Sequence, residues 1–263
     1  MRWIRYTAAG RTAYGILDGD SITEVKGDPF AGYEQTATKH TLKAVQIELP
    51  VATPPNFFCV GLNYAQHVVL AAKKLGIEAK LPERPDVGYR SNNALVAHGR
   101  DVIIPRDATE KVQYEGELVA VIGKTCRHVS EADALKYVLG YTIGNDVSER
   151  TWQKGDRTLW RAKNTDTFKP MGPWIETNVD LDKLETIVRV NGEVTTRFKT
   201  NDMIHGVALY ISTISRYCTL HPGDVLWMGT DLFSPDLKHG DVVEVEITGL
   251  GVLRNRFVKE GMA

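Results

Sequence analysis

The segment Tyr114-Glu-Gly-Glu-Leu-Val-Ala-Val-Ile122 sets two glutamates, one residue apart, at the head of an apolar run. Alternate side chains of an extended strand share a face, so Glu115, Glu117, Val119 and Val121 should point the same way. Carboxylates beside a row of valines need a proton, a cationic partner or a metal ion, and two on one face repel each other. The plainer alternative is that both reach solvent beyond the sheet edge. A third carboxylate, Asp146, follows the apolar stretch Tyr141-Thr-Ile-Gly-Asn145 at a strand end. Three carboxylates without a cysteine or an obligatory histidine suit a hard cation, Mg²⁺ or Mn²⁺, with Ca²⁺ third, and would leave coordination positions for a chelating substrate and a water. Lys163 and His67 are candidate neighbours of this set.

Other chemistries lose their usual support. Gly123-Lys124-Thr125 resembles the end of a phosphate-binding loop, but Leu118 stands where its first glycine should be. The chain has no Gly-x-Gly-x-x-Gly after a strand, no Gly-x-Ser-x-Gly and no His-Glu-x-x-His, the signatures of dinucleotide binding, serine hydrolysis and zincin chemistry.

The elements that must position these residues read as mostly β. Turns at Ala8-Ala-Gly10 and Asp18-Gly-Asp20 separate strands such as Thr12–Leu17 and Ser21–Val25, giving a small β-rich unit over residues 1–53. Thr53-Pro-Pro55 then enforces an extended connector to a larger domain, 54–263. Within it, Phe57–Val60 reads as a buried strand and Ala65–Leu75 as a helix stopped by Gly76, with His67 on its first turns. Residues 76–93 are polar and proline-broken, so they read either as a mobile lid or as a plain surface excursion. Ser130-Glu-Ala-Asp133 suggests a capped helix ending near Leu139 before Gly140. Asn191-Gly192 is a strong hairpin signal, and the apolar spacing from Asn201 to Tyr217 predicts a core-facing helix. Many strands with few helices point to an α+β chain with a rolled, barrel-like sheet.

Several of these segments, taken in order, make the chain similar to the fumarylacetoacetate hydrolase family over residues 55–258. They are Val60-Gly-Leu-Asn-Tyr-Ala-Gln-His67, Tyr114-Glu-Gly-Glu-Leu118, Gly140-Tyr-Thr-Ile-Gly-Asn-Asp-Val-Ser148, Lys163-Asn-Thr-Asp-Thr-Phe168 with Gly172-Pro-Trp-Ile175, Met203-Ile204, and Leu220-His-Pro-Gly-Asp224 with Gly229-Thr230. The resemblance implies a β-roll catalytic domain, a homodimer, and Mg²⁺ or Mn²⁺ on Glu115, Glu117 and Asp146. It further implies that Lys163 contacts the substrate near the metal and that Arg150, Gln153 and Thr230 contact its carboxylate. Members act on 2-oxo or 2,4-dioxo acids, among them intermediates of aromatic catabolism, by hydrolysis, decarboxylation or isomerisation. All three reactions develop an enolate that a metal and Lys163 could stabilise.

The chain departs from the family pattern near His67. Hydrolytic members carry a glutamate three residues after this histidine, and here that residue is Leu70. His67 is therefore either a base that borrows Glu78 or Glu83 from residues 76–93, or a polar helix residue at the site mouth. Arg90-Ser91 stands where Lys-Pro is usual, and Gly229-Thr230-Asp231 replaces Gly-Thr-Pro, a change expected to alter recognition of the substrate's distal end. The first expectation is metal-dependent C–C bond cleavage of an oxo acid; isomerisation of a 2-hydroxymuconate-type diacid is the alternative, and a non-catalytic binding relative a third.

Composition agrees with a small-molecule enzyme. At 263 residues the chain can bury a substantial core, and 32 Lys and Arg nearly cancel 33 Asp and Glu, so no long-range field draws in nucleic acid or an anionic membrane. The widely spaced Cys59, Cys126 and Cys218 read as reduced thiols in a cytoplasm, and no apolar run approaches membrane-spanning length.

Overall fold

The computed structural model describes residues 1–262. Strands dominate and form sheets of twelve, two and five strands, none of which closes on itself, so the fold is a roll of open sheets rather than a sealed barrel. Along the large sheet the N-terminal strands Gly32–Thr41, Ser21–Asp28, Arg11–Asp18 and Arg2–Ala8 lead to Lys169–Glu176, Val138–Asn145, Gly116–Ile122, Val225–Trp227, Phe57–Val60 and Val87–Tyr89. The N-terminal strands thus extend the sheet of the larger unit, joined to it where Arg2 and Trp3 pair with Glu176 and Ile175.

Gly116–Ile122 sits near the centre and every residue in it is buried. Leu118, Ala120 and Ile122 enter the main core, which lies between this sheet, the five-stranded sheet and the helix Val207–Ser215. Val119 and Val121 enter a second core with Phe57, Cys59, Val225, Trp227 and Trp3. The alternation read from the sequence therefore holds, and Glu115 and Glu117 prolong the second face. Because this strand is covered on both sides, the glutamates do not reach solvent: they are 8% and 2% exposed.

Some elements differ from the sequence reading. Asn191 and Gly192 both take positive φ and turn Glu185–Val190 into Glu193–Lys199, as their types require. The helix after Ser130 covers only Glu131–Ala134 plus one tight turn to Tyr137, and Gly140 lies inside a strand. Ser130 gives its hydroxyl to the Asp133 carboxylate rather than capping a backbone amide. The later helix begins only at Val207, because Asn63 holds the preceding bend out of the helix: its carbonyl accepts from Ile204 N at 2.8 Å and its side chain accepts from His205 N at 3.0 Å. Residues 87–89 of the suspected lid form a strand paired with Phe58–Val60, while residues 76–81 are exposed and His205 tethers Pro82. Among the described residues no helix is long and apolar enough to cross a membrane.

Gly144 lets the central strands meet Trp227. A Cβ at this position would stand 2.6 Å from the indole ring. Gly144→Ala should therefore cost about 1–3 kcal/mol through overpacking, read as a lower urea midpoint at unchanged slope. An unchanged midpoint would mean that Trp227 moves aside freely.

Candidate active site

Two segments bring the three carboxylates together. Antiparallel pairing sets Gly116 opposite Asn145 and Glu117 opposite Gly144, so Asp146, just past the end of its strand, arrives beside Glu115. Asp146 N donates to the Glu115 carbonyl at 2.9 Å, and the Asn145 side chain accepts from Glu115 N at 3.0 Å. One oxygen from each of Glu115, Glu117 and Asp146 lies within 4.8 Å of the others.

Four cations surround this set. Lys163, from the short helix Trp160–Asn164, bridges Glu115 and Asp146 at 2.6 Å each. Arg150 reaches Glu115 at 2.7 Å and also donates to the side chains of Gln113 and Gln153, both at 2.9 Å. Glu149 caps the helix that carries Arg150 and Gln153 by accepting from Trp152 N. Arg90 grips both oxygens of Asp146 at 3.2 and 2.9 Å, and Lys169, with no exposure at all, lies 2.7 Å from it. Sequence reasoning brought Lys163 and Arg150 here but missed the roles of Arg90 and Lys169. The available signal was a lysine between Phe168 and Pro170-Met171, the one charged residue in the run 168–175.

The charges divide unequally. Burial opposes ionisation of Asp146, yet Arg90, Lys163 and Lys169 outweigh it and hold its carboxyl well below the usual range. Glu115 is likewise held low, burial being overcome by Lys163 and Arg150. Burial followed by repulsion from Asp146 and Glu115 pushes the Glu117 carboxyl well up. Glu117 has no ion-pair partner among the described residues and accepts one hydrogen bond, from Gly229 N at 2.8 Å. A divalent cation fits this arrangement, because it would supply Glu117 with the missing counter-charge in an all-oxygen donor set.

Beside the cluster opens a cleft of about 900 Å³ whose walls include His67, Lys74, Arg150, Gln153, Lys154 and Phe233. Lys74 lies over the Phe233 ring at 4.1 Å. His67 Nδ1 is 2.8 Å from the Leu232 carbonyl, whereas Glu78 and Glu83 are exposed and make no hydrogen bond to His67 among the described residues. Thr230 is half-buried next to Gly229. Asp231 is engaged by backbone amides, so its replacement of proline serves the fold of this turn.

The Fumarylacetoacetate (FAA) hydrolase C-terminal family matches residues 56–258. The chain belongs to that family. A second family match, Rv2993c-like, N-terminal, covers residues 1–50. A solved structure of 5-carboxymethyl-2-hydroxymuconate delta-isomerase from Mycobacterium smegmatis superposes with a TM-score of 0.89 at 34% identity, over 99% of this chain and 100% of that one. Oxaloacetate tautomerase YisK of Bacillus subtilis is 34% identical over 82% of this chain and 74% of its own. The 4-hydroxyphenylacetate degradation bifunctional isomerase/decarboxylase of Salmonella dublin is 38% identical over 81% of this chain and 49% of its own. The family is enzymatic, and this chain is an enzyme of it.

Lys169 is held by Asp146 and by the carbonyls of Val147 and Phe168, both at 2.9 Å, and burial lowers its pKa to about 8. Lys169→Met would deprive the Val147 carbonyl of its donor and leave Asp146 one cation short, while the Phe168 carbonyl keeps Val147 N, so stability should fall by about 3–5 kcal/mol in urea titrations of metal-free protein. A loss below about 1 kcal/mol would mean that the ammonium contributes little to the net balance.

Proposed function

We propose that this protein is a divalent-metal-dependent tautomerase or isomerase of a 2-oxo diacid, moving a proton beside the ketone. The observation that carries the reading is the partner of His67, a main-chain carbonyl instead of a carboxylate. Such an imidazole can accept and return a proton, but it lacks the acidic partner expected of a water-activating dyad. The tautomerase and isomerase names of the relatives agree with this choice.

Glu115, Glu117 and Asp146 would hold Mg²⁺ or Mn²⁺, with Ca²⁺ the weaker fit to a compact oxygen site. The ion would supply Lewis acidity where the ketone oxygen becomes negative. Lys163, fixed between Glu115 and Asp146, adds a second positive charge at the same place without having to reorganise. Arg150 and Gln153 would orient the substrate carboxylate, Thr230 would assist from the turn that holds Glu117, and Lys74 and Lys154 make the cleft attractive to a second anionic group. In this reading residues 54–263 form the catalytic domain and residues 1–53 its companion.

Decarboxylation is the second reading, because loss of CO₂ develops the same negative oxygen and one relative is named for it. Enol–keto conversion of oxaloacetate and of hydroxymuconate-type diacids should be followed by ultraviolet absorbance, with CO₂ release recorded separately. Turnover should vanish with chelator and return with Mg²⁺ or Mn²⁺; full turnover in metal-free protein would sink the proposal. Glu117→Gln should weaken metal binding while the thermal transition of the metal-free protein stays in place.

Lys163→Met should lower kcat by about a hundredfold or more, the usual effect of deleting one preorganised stabiliser of developing charge. Near-normal turnover in that variant would make the lysine structural.

A further inference from the structure

One short turn serves both sides of the site. Gly229 N holds Glu117, and two residues later Asp231, 8% exposed, accepts at a single oxygen from two backbone amides, His67 N at 2.9 Å and Leu232 N at 2.8 Å. The first of these bonds caps the helix Ala65–Leu75 from 164 residues away, since Tyr64 at its N-cap offers no side-chain bond. The second holds Leu232 at a φ of +61°, a left-handed conformation that leucine rarely adopts. Strain of this kind persists only where the surroundings impose it, and it clusters at functional sites. Its product here is the direction of one group, the Leu232 carbonyl, which meets His67 Nδ1 at 2.8 Å. A carbonyl only accepts, so Nδ1 carries the hydrogen, and neutral His67 has its lone pair on Nε2.

We propose that Asp231 is a positioning residue which, by clamping the amides of His67 and Leu232 together, fixes His67 as the Nδ1–H tautomer with Nε2 ready to shuttle the substrate proton. The inference rests on the proton-transfer reading above. In the enol-forming direction Nε2 takes the proton from the carbon beside the ketone, the C–H electron pair becomes the C=C bond, and the ketone π pair moves to oxygen. The imidazolium then returns the proton to that oxygen, or to a more distant carbon in an isomerisation, and His67 is neutral again. Leu70 fits this scheme, because the orientation that a helix glutamate would provide comes from a carbonyl on the facing turn.

Long-range ¹H–¹⁵N correlation spectra of the Mg²⁺-loaded enzyme, with the His67 signals assigned through His67→Gln, read the tautomer directly. The wild type should show a protonated Nδ1 and a bare Nε2. Asp231→Ala should give a mixed tautomer signature and a kcat lower by at least about tenfold, within the contribution of a placed proton-transfer group, with KM changed less than about twofold. Asp231→Asn keeps an oxygen that can accept both amides and should restore both readouts. Retention of the wild-type tautomer signature in Asp231→Ala, or failure of the asparagine variant to rescue a folded enzyme, would overturn the clamp. Should Asp231→Ala not fold, Asp231→Ser, whose short hydroxyl reaches at most one of the amides, should show the same losses in milder form, and a wild-type signature there would overturn the clamp equally. Absence of turnover by the wild type on every acid would defeat the proton-transfer reading, while the spectra still judge the clamp by themselves.

Discussion

Three carboxylates buried within 4.8 Å of one another are the constraint on which the rest of this structure depends. Left alone they would repel each other in a poorly solvated place, and each would take up a proton rather than stay charged. The chain answers with four cations drawn from four separate segments, at Arg90, Arg150, Lys163 and Lys169. Asp146 meets three of them and Glu115 two, whereas Glu117 meets only a backbone amide. This unevenness marks Glu117 as the position where an added cation would make most difference.

Much of the architecture can be understood as the means of bringing those charges to one point. A strand covered on both faces carries Glu117 and its neighbour, antiparallel pairing delivers Asp146, and two short helices after it present Arg150 and Lys163. Each short helix is too brief to hold itself, and each is pinned by an acid outside its span: Glu149 accepts from Trp152 N, and Asp156 accepts from Ala162 N at 2.7 Å. The segment 76–93 takes part through its second half, whose strand pairing with Phe58–Val60 carries Arg90 to Asp146. A loop free to move throughout its length could not hold that guanidinium in place.

The turn at 229–232 joins the carboxylate cluster to the cleft. Gly229 and Leu232 both take positive φ, which lets four residues offer an amide to Glu117 at one end and a carbonyl to His67 at the other. Substitution of the usual proline by Asp231 supplies the acceptor that fastens the helix of His67 to this turn. The spacing between His67 and the carboxylate cluster is thereby tied to one short turn, hydrogen-bonded to Glu117 at one end and to His67 at the other.

What the sequence determined by itself was whatever depends on near neighbours. The period-two alternation of residues 115–121 fixed the shared face of Glu115, Glu117, Val119 and Val121, Asn191-Gly192 fixed a hairpin, and Gly76 ended its helix in the left-handed conformation that glycine permits. The family motifs, and with them Lys163 and Arg150 near the carboxylates, were legible because their order survives in the chain. Tertiary structure alone decided how the charges pair. Neither the pairing of Lys169 and Arg90 with Asp146 nor the bond from His67 N to Asp231 was legible, because these partners lie 23, 56 and 164 residues apart. Periodicity reports the local path of the backbone, but a buried ion pair or a cap given from across the fold depends on which segments the sheet brings side by side, and no local pattern encodes that.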